Sequence, residues 1–191
     1  AASAAASYER ATMIDAEAPL VGGKLVAALF DAGDYQKCLD TVRRQRQKAQ
    51  SEQTSGKRFV PTLEMLRYEG RSLAMLNRVV EARVVFSDTV REYPEDVAGW
   101  RDLATAALAL GDLSRAQNAS ERLVALASED PAGYMLRGHV AERKGNYDEA
   151  ISWHRQACER APRSSEAHIA LGMALAHAGK KNEARKVLDK A

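Results

Sequence analysis

The side chains able to do chemistry in this chain are few. Its 191 residues contain four histidines and two cysteines. His139 and His177, with the carboxylate of Glu142 nearby in sequence, form the one pairing that suggests a shared ligand. Two imidazoles and a carboxylate are the donors of a zinc-type site, but such a site needs at least three ligands in a set geometry. The spacing specifies no third protein donor for the histidine pair. No metal and no cofactor are therefore expected, and both histidines read as partner contacts. His154 and His168 fall where aromatic residues would pack. Cys38 and Cys158 lie far apart, and neither has an adjacent base that would make it a nucleophile. The chain has no Walker loop, no GxGxxG after a strand, no HExxH and no CxxC. No enzymatic activity is expected.

Bulk properties exclude further classes. The 28 basic and 26 acidic residues leave a net charge of +2, without the basic excess of a nucleic-acid binder. No apolar run approaches the ~20 residues of a membrane span, so membrane insertion is not expected. Apolar residues make up 46% and aromatics 6% of the chain, and alanine is abundant. Such a composition suits helices packed at short distance. Arg43, Arg44, Arg46 and Lys48 form a basic run whose plain reading is a solvated helix face. Asn118, Ala119 and Ser120 match a glycosylation triplet but fall inside an expected helix.

The elements that carry these residues repeat. Gly111, Gly145 and Gly179 are each separated by 34 residues, and so are Ala82, Ala116, Ala150 and Ala184. Let units begin at Leu63, Val97, Pro131 and Ser165. Position 4 then holds Leu66, Trp100, Tyr134 and His168. Position 8 holds Gly70, Ala104, Gly138 and Gly172; position 15 holds Asn77, Gly111, Gly145 and Gly179. Position 15 sits where the chain reverses between two helices through a left-handed backbone. Glycine carries no Cβ penalty there, and asparagine is the next best residue. Positions 8 and 20 are small where the two helices of a hairpin cross. Pro94 and Pro162, at position 32, stop the second helix. An earlier unit starts at Pro19, with Gly33, Tyr35 and Cys38 at positions 15, 17 and 20.

In these positions the chain resembles the tetratricopeptide repeat family, most clearly in PAGYMLRGHVAERKGNYDEAISWHRQACERAPRS and SEAHIALGMALAHAGKKNEARKVLDKA. The resemblance implies an all-α fold: a right-handed α-solenoid of antiparallel helix pairs, with about eleven helices. They are expected at 2–16, 20–32, 35–50, 62–76, 79–92, 97–110, 113–127, 131–144, 147–160, 165–178 and 181–190. The array divides into the second helix of a partial repeat (1–18), a repeat with an insertion near 49–60 (19–62), full repeats at 63–96, 97–130 and 131–164, and a partial repeat at 165–191. Neither end shows a polar cap, so the chain reads as cut from a longer array.

In this family the first helices line the inner groove, chiefly through positions 2, 5, 6, 9, 12 and 13. The resemblance thus implies a partner-binding groove made of Arg67, Tyr68, Arg71 and Met75, then Arg101, Asp102 and Thr105, then Met135, His139, Glu142 and Arg143, and finally Met173 and His177. Leu108 and Ile169 share these positions but read as packing residues. Arginine forks suit carboxylates, and methionine gives adaptable apolar contact. An extended or helical peptide with apolar and acidic side chains would fit. Chaperone-tail binders of the family clamp a carboxylate with a lysine at position 5 and asparagines at 6 and 9. Here position 5 reads Gly23, Arg67, Arg101, Met135 and Ile169, without that clamp. The asparagine ladder of sugar-transferase arrays is missing too, since position 6 reads Lys24, Tyr68, Asp102, Leu136 and Ala170.

The expected function is a non-catalytic scaffold that binds a protein or peptide partner. The alternative is a self-associating structural module, a homo-oligomer or stacked array in a bacterial envelope, secretion or polysaccharide-export complex. Alanine and arginine usage has a bacterial character, and both cytoplasm and periplasm stay open.

Overall fold

The computed structural model describes residues 19–51 and 62–189. The expected helix at 2–16 and most of the insertion near 49–60 lie outside the described residues. Ten helices are described: α1 (Pro19–Asp31), α2 (Tyr35–Ser51), α3 (Leu63–Met75), α4 (Val79–Glu92), α5 (Val97–Ala109), α6 (Leu113–Leu126), α7 (Pro131–Arg143), α8 (Tyr147–Arg160), α9 (Ser165–His177) and α10 (Lys181–Leu188). Among the described residues there is no β-strand. The molecule divides into two compact units, residues 1–94 and 95–191. The first holds hairpins α1/α2 and α3/α4; the second holds α5/α6, α7/α8 and α9/α10.

The turns explain the hairpins. Gly33, Asn77, Gly111, Gly145 and Gly179 all have positive φ, between 58° at Asn77 and 80° at Gly33. After each, the next N–H returns to a carbonyl four residues before the glycine or asparagine: Asp34 to Leu29, Arg78 to Leu73, Asp112 to Ala107, Asn146 to Ala141, Lys180 to Leu175, at 2.8 to 2.9 Å. This closes the first helix and aims the second back along it. First helices start on side-chain caps. Thr62, Asp96, Asp130 and Ser164 accept from Met65, Gly99, Ala132 and Ala167 at 2.9 to 3.3 Å. Each such cap stabilises its helix by about 1 kcal/mol.

Within each unit a helix packs on its hairpin partner, and a first helix packs on the second helix before it. First helices also touch first helices: α1 with α3, α5 with α7, and α7 with α9. No second helix is described against another. The first-helix side of each unit is therefore its inner side.

The core is small and dense at the hairpin crossings. Cys38, Ala82, Ala116, Ala150 and Ala184, all at position 20, are buried. Position 8 answers to position 24 as well. A Cβ on Gly70 would collide with the Phe86 ring, one on Gly138 with the His154 ring, and one on Gly172 with Leu188. Where position 8 carries a Cβ, position 24 is smaller: Ala104 stands with the fully buried Ser120, and Val26 with Val42. So the glycines are small to admit a large side chain, not only to bring two backbones together.

One member of the basic run departs from a solvated face: Arg43 and Arg44 are exposed, whereas Arg46 is half-buried. On α2, Arg46 reaches Glu69 of α3 at 2.7 Å and Arg43 reaches Glu81 of α4 at 3.8 Å. Glu69 is buried at 6% exposure, so Arg46 balances an interior charge that would otherwise be costly. Burial pushes the Glu69 carboxyl above its ordinary value, against the pull of Arg46 and Arg43. Ser120 of the glycosylation triplet is buried inside α6, its hydroxyl donating to the Gln117 carbonyl at 2.8 Å.

Candidate functional site

A stripe along the first helices is the surface that each hairpin leaves uncovered. Positions 5, 9 and 13 are spaced by four, so their side chains follow one helix face. Position 5 is only partly available. Arg101 and Ile169 are exposed and Arg67 is half-buried. Met135 is buried, in a cluster with Tyr134, Ala157 and Ala167. The expectation that Met135 lines the groove fails for this reason: the next first helix, α9, brings Ala167 against it. Positions 9 and 13 stay open. Arg71 and Met75, Thr105 and Ala109, His139 and Arg143, and Met173 and His177 are all half-buried or exposed.

The stripe has mixed chemistry. Met75 is 58% and Met173 51% exposed, large values for thioether side chains. Ile169, read from sequence as packing, is also exposed, whereas Leu108 packs partly against Ala107, Ala116 and Val140. In the first unit Leu63, Glu64, Arg67, Tyr68 and Arg71 line a cavity of about 320 Å3. The Tyr68 ring packs at 5.4 Å from Phe30, and burial, followed by the charges of Asp31 and Glu64, pushes its hydroxyl above the usual value. Asp102 is half-buried beside the exposed Arg101.

The histidines are distributed differently from the sequence expectation. His177 does not join His139. It lies near Tyr147, ring centres 5.6 Å apart, and lines an open cleft of about 660 Å3 with Asp148, Glu149 and Lys180. His139 instead faces Glu142, one turn along α7, with Nδ1 and Oε2 3.1 Å apart. From the other side His154 of α8 brings Nε2 to 3.8 Å from the same oxygen. Burial pushes the Glu142 carboxyl up, but the two imidazoles outweigh it, His139 by a hydrogen bond and His154 by its nearness, and hold it at about 2. His154 thus packs, as expected, but its ring edge also faces two polar groups. Sequence position gave no hint of that, because position 24 meets positions 9 and 12 only once the hairpin closes.

The remaining candidates for chemistry are held quiet. Cys38 is fully buried, its thiol donating to the Val26 carbonyl at 3.5 Å, and burial raises its pKa. Burial and then the charge of Glu159 raise that of Cys158. Thiols shifted this way resist forming the thiolate that nucleophilic chemistry requires. His168 turns Nδ1 to the Ser164 carbonyl at 2.9 Å.

Known proteins place this geometry. Two tetratricopeptide repeat models match, over residues 101–165 and 142–191. No curated protein matches the sequence. Among solved structures, a tetratricopeptide repeat protein from Parabacteroides merdae is similar at 17% identity and a TM-score of 0.79, covering 99% of this chain and 71% of its own. The structure of MamA from Desulfovibrio magneticus RS-1, from residue 41 to its end, gives 19% identity and a TM-score of 0.75, covering 89% and 90%. YrrB, described as a tetratricopeptide repeat protein with an unusual peptide-binding site, gives 19% and 0.74, covering 98% and 91%. At these identities the likeness establishes the fold, a helical-repeat solenoid.

Proposed function

This chain belongs to the tetratricopeptide repeat family, and on that premise we propose that it is a non-catalytic scaffold binding a peptide segment on its first-helix face. The observation that carries the reading is the position 9 and 13 stripe. It stays open in each described hairpin and puts exposed methionines among arginines and histidines. Packing has no use for Met75 and Met173 in water, and an adaptable apolar contact does. Arg67, Arg71, Arg101 and Arg143 add fork-shaped donors for carboxylates. The favoured partner is an extended or helical segment with alternating apolar and acidic side chains. Binding in the micromolar range, about −8 kcal/mol, is expected of such a surface.

The test starts from a displayed random-peptide library selected on the immobilised chain. Acidic and apolar sequences should be enriched. Arg101→Glu combined with Arg143→Glu, both exposed in the second unit, should weaken the selected peptides at least tenfold while helicity by circular dichroism is unchanged. Selection without enrichment, or binding indifferent to the double variant, would remove this surface from consideration. Light scattering over a concentration series separates the alternative: growth of mass with concentration in the absence of peptide would favour a self-associating module.

A further inference from the structure

We propose that His139, Glu142 and His154 form a binding site for one divalent transition-metal ion of the zinc class. The three donors come from a single hairpin. His139 and Glu142 stand on one face of α7, three residues apart, and His154 enters from α8. Nδ1 of His139 and Nε2 of His154 lie 3.1 and 3.8 Å from Oε2 of Glu142, and the three donor atoms span no more than 4.8 Å. A tetrahedral ion with bonds of ~2.0–2.1 Å holds its ligands roughly 3.4 Å apart. Two of the three spacings bracket that value. The widest, no more than 4.8 Å, closes by up to about 1.4 Å through rotation of His139, whose side chain is 38% exposed and has room to move.

The second observation is His154 itself. Its side chain is completely buried, and neither ring nitrogen has a hydrogen-bond partner. A buried imidazole left unpartnered costs about 1–3 kcal/mol. The other hairpins fill the same position with Val42, Phe86, Ser120 and Leu188. Three of these are hydrocarbon and Ser120 bonds its hydroxyl to its own helix, so packing requires no imidazole there and His154 needs another reason. A metal ion supplies one by engaging the lone pair of Nε2. Its ring faces two donors, and at positions 9, 12 and 24 no other described hairpin has a His, Cys, Asp or Glu: Ala27, Phe30 and Val42; Arg71, Ala74 and Phe86; Thr105, Leu108 and Ser120; Met173, Ala176 and Leu188. Among the described residues this is the one cluster of three such groups with metal-site spacing.

Imidazole and carboxylate donors select borderline cations such as Zn²⁺ or Co²⁺ over Mg²⁺ or Ca²⁺. Three protein ligands leave a fourth position, on the exposed side of His139, to water or to a donor from a bound partner. His139 is also a member of the first-helix stripe, so the ion would sit at the edge of the proposed binding surface.

The experiment uses the full, untagged chain stripped with chelator. Titration with Zn²⁺ by calorimetry, and with Co²⁺ by its visible d–d absorption, should give one site per chain. Zn²⁺ should also raise the melting temperature, because an ion that binds only the folded state stabilises it. His139→Ala and Glu142→Gln, both near the surface, should each weaken Zn²⁺ at least tenfold. His154→Phe copies the Gly70 and Phe86 pairing and keeps the core filled, so it should fold and lose the site. Saturable binding of one ion, lost in all three variants, supports the assignment. Absence of Zn²⁺ and Co²⁺ binding by the stripped chain, or binding that survives His154→Phe, overturns it. Neither outcome depends on peptide binding, so the two proposals fail separately.

Discussion

Hairpins α3/α4 and α7/α8 are the same object built twice. Each turns through a positive-φ residue, Asn77 or Gly145, and each buries an alanine, Ala82 or Ala150, at the crossing. Each sets a glycine, Gly70 or Gly138, under a ring at position 24. The rings differ. Phe86 is satisfied by hydrocarbon, whereas His154 lies buried with both nitrogens unpartnered, facing Glu142 and His139. The pair teaches that packing sets the frame of a repeat, and chemistry enters by substitution at a packing position. What is a hydrocarbon ring at position 24 in one hairpin is an imidazole in another.

The largest expected difference is in the rings. Phe86→Ala should cost about 3–5 kcal/mol, the ordinary penalty for emptying a core aromatic site. His154→Phe, in metal-free protein, should cost less than about 1 kcal/mol or stabilise, since it removes an unpartnered buried imidazole at similar volume. Urea unfolding of both variants measures the contrast. Equal losses would show that His154 is held by its own packing and is not equivalent to Phe86.

Next come the glycines. Gly70→Ala and Gly138→Ala each gain helix propensity, yet each drives a Cβ into a ring. A net loss of about 1–2 kcal/mol is expected. On a Phe86→Ser background, which imitates Ala104 and Ser120, the Gly70→Ala change should instead be neutral or stabilising. The double-mutant cycle reads that coupling directly.

A third contrast sets buried Glu69 against half-buried Glu142 by pH. Burial raises Glu69 despite Arg46, whereas Glu142 is held at about 2. For Glu69 the folded state binds its proton more tightly than the unfolded state. Its contribution is therefore present below the ordinary carboxylate range and is lost as pH rises through the raised value. Glu69→Gln should flatten stability over that window, and chemical denaturation between pH 4 and pH 7 checks it. Unchanged pH dependence would mean that Arg46 fully offsets the burial. The smallest effect belongs to the turns: Asn77→Gly should stabilise by less than about 1 kcal/mol, because only Asn77 among the five turn residues has a Cβ at positive φ.

Much of the fold was legible in sequence because it rests on backbone needs. Glycine or asparagine at position 15 marks every turn, and helix limits agree with the structure to within two residues over the described span. Less of the site was legible. Burial of Met135 depends on Ala167, which lies more than thirty residues further on. The pairing of His139 with His154 rather than His177 depends on how α8 folds back on α7. Arg46 meets Glu69 across residues 52–61, which no local pattern connects. The caps at Asp96, Asp130 and Ser164, by contrast, were available as Asp or Ser just before each first helix, a standard start signal.

Methionine offers the most direct measurement of the central claim, the open first-helix stripe. The chain carries five methionines, and Met75 and Met173 are exposed while Met65 and Met135 are buried. With the methionine methyl groups labelled with carbon-13, addition of a selected acidic and apolar peptide should shift Met75 or Met173 in a saturable manner and leave Met65 and Met135 in place. Saturable binding that leaves both exposed methionines unmoved would contradict the account.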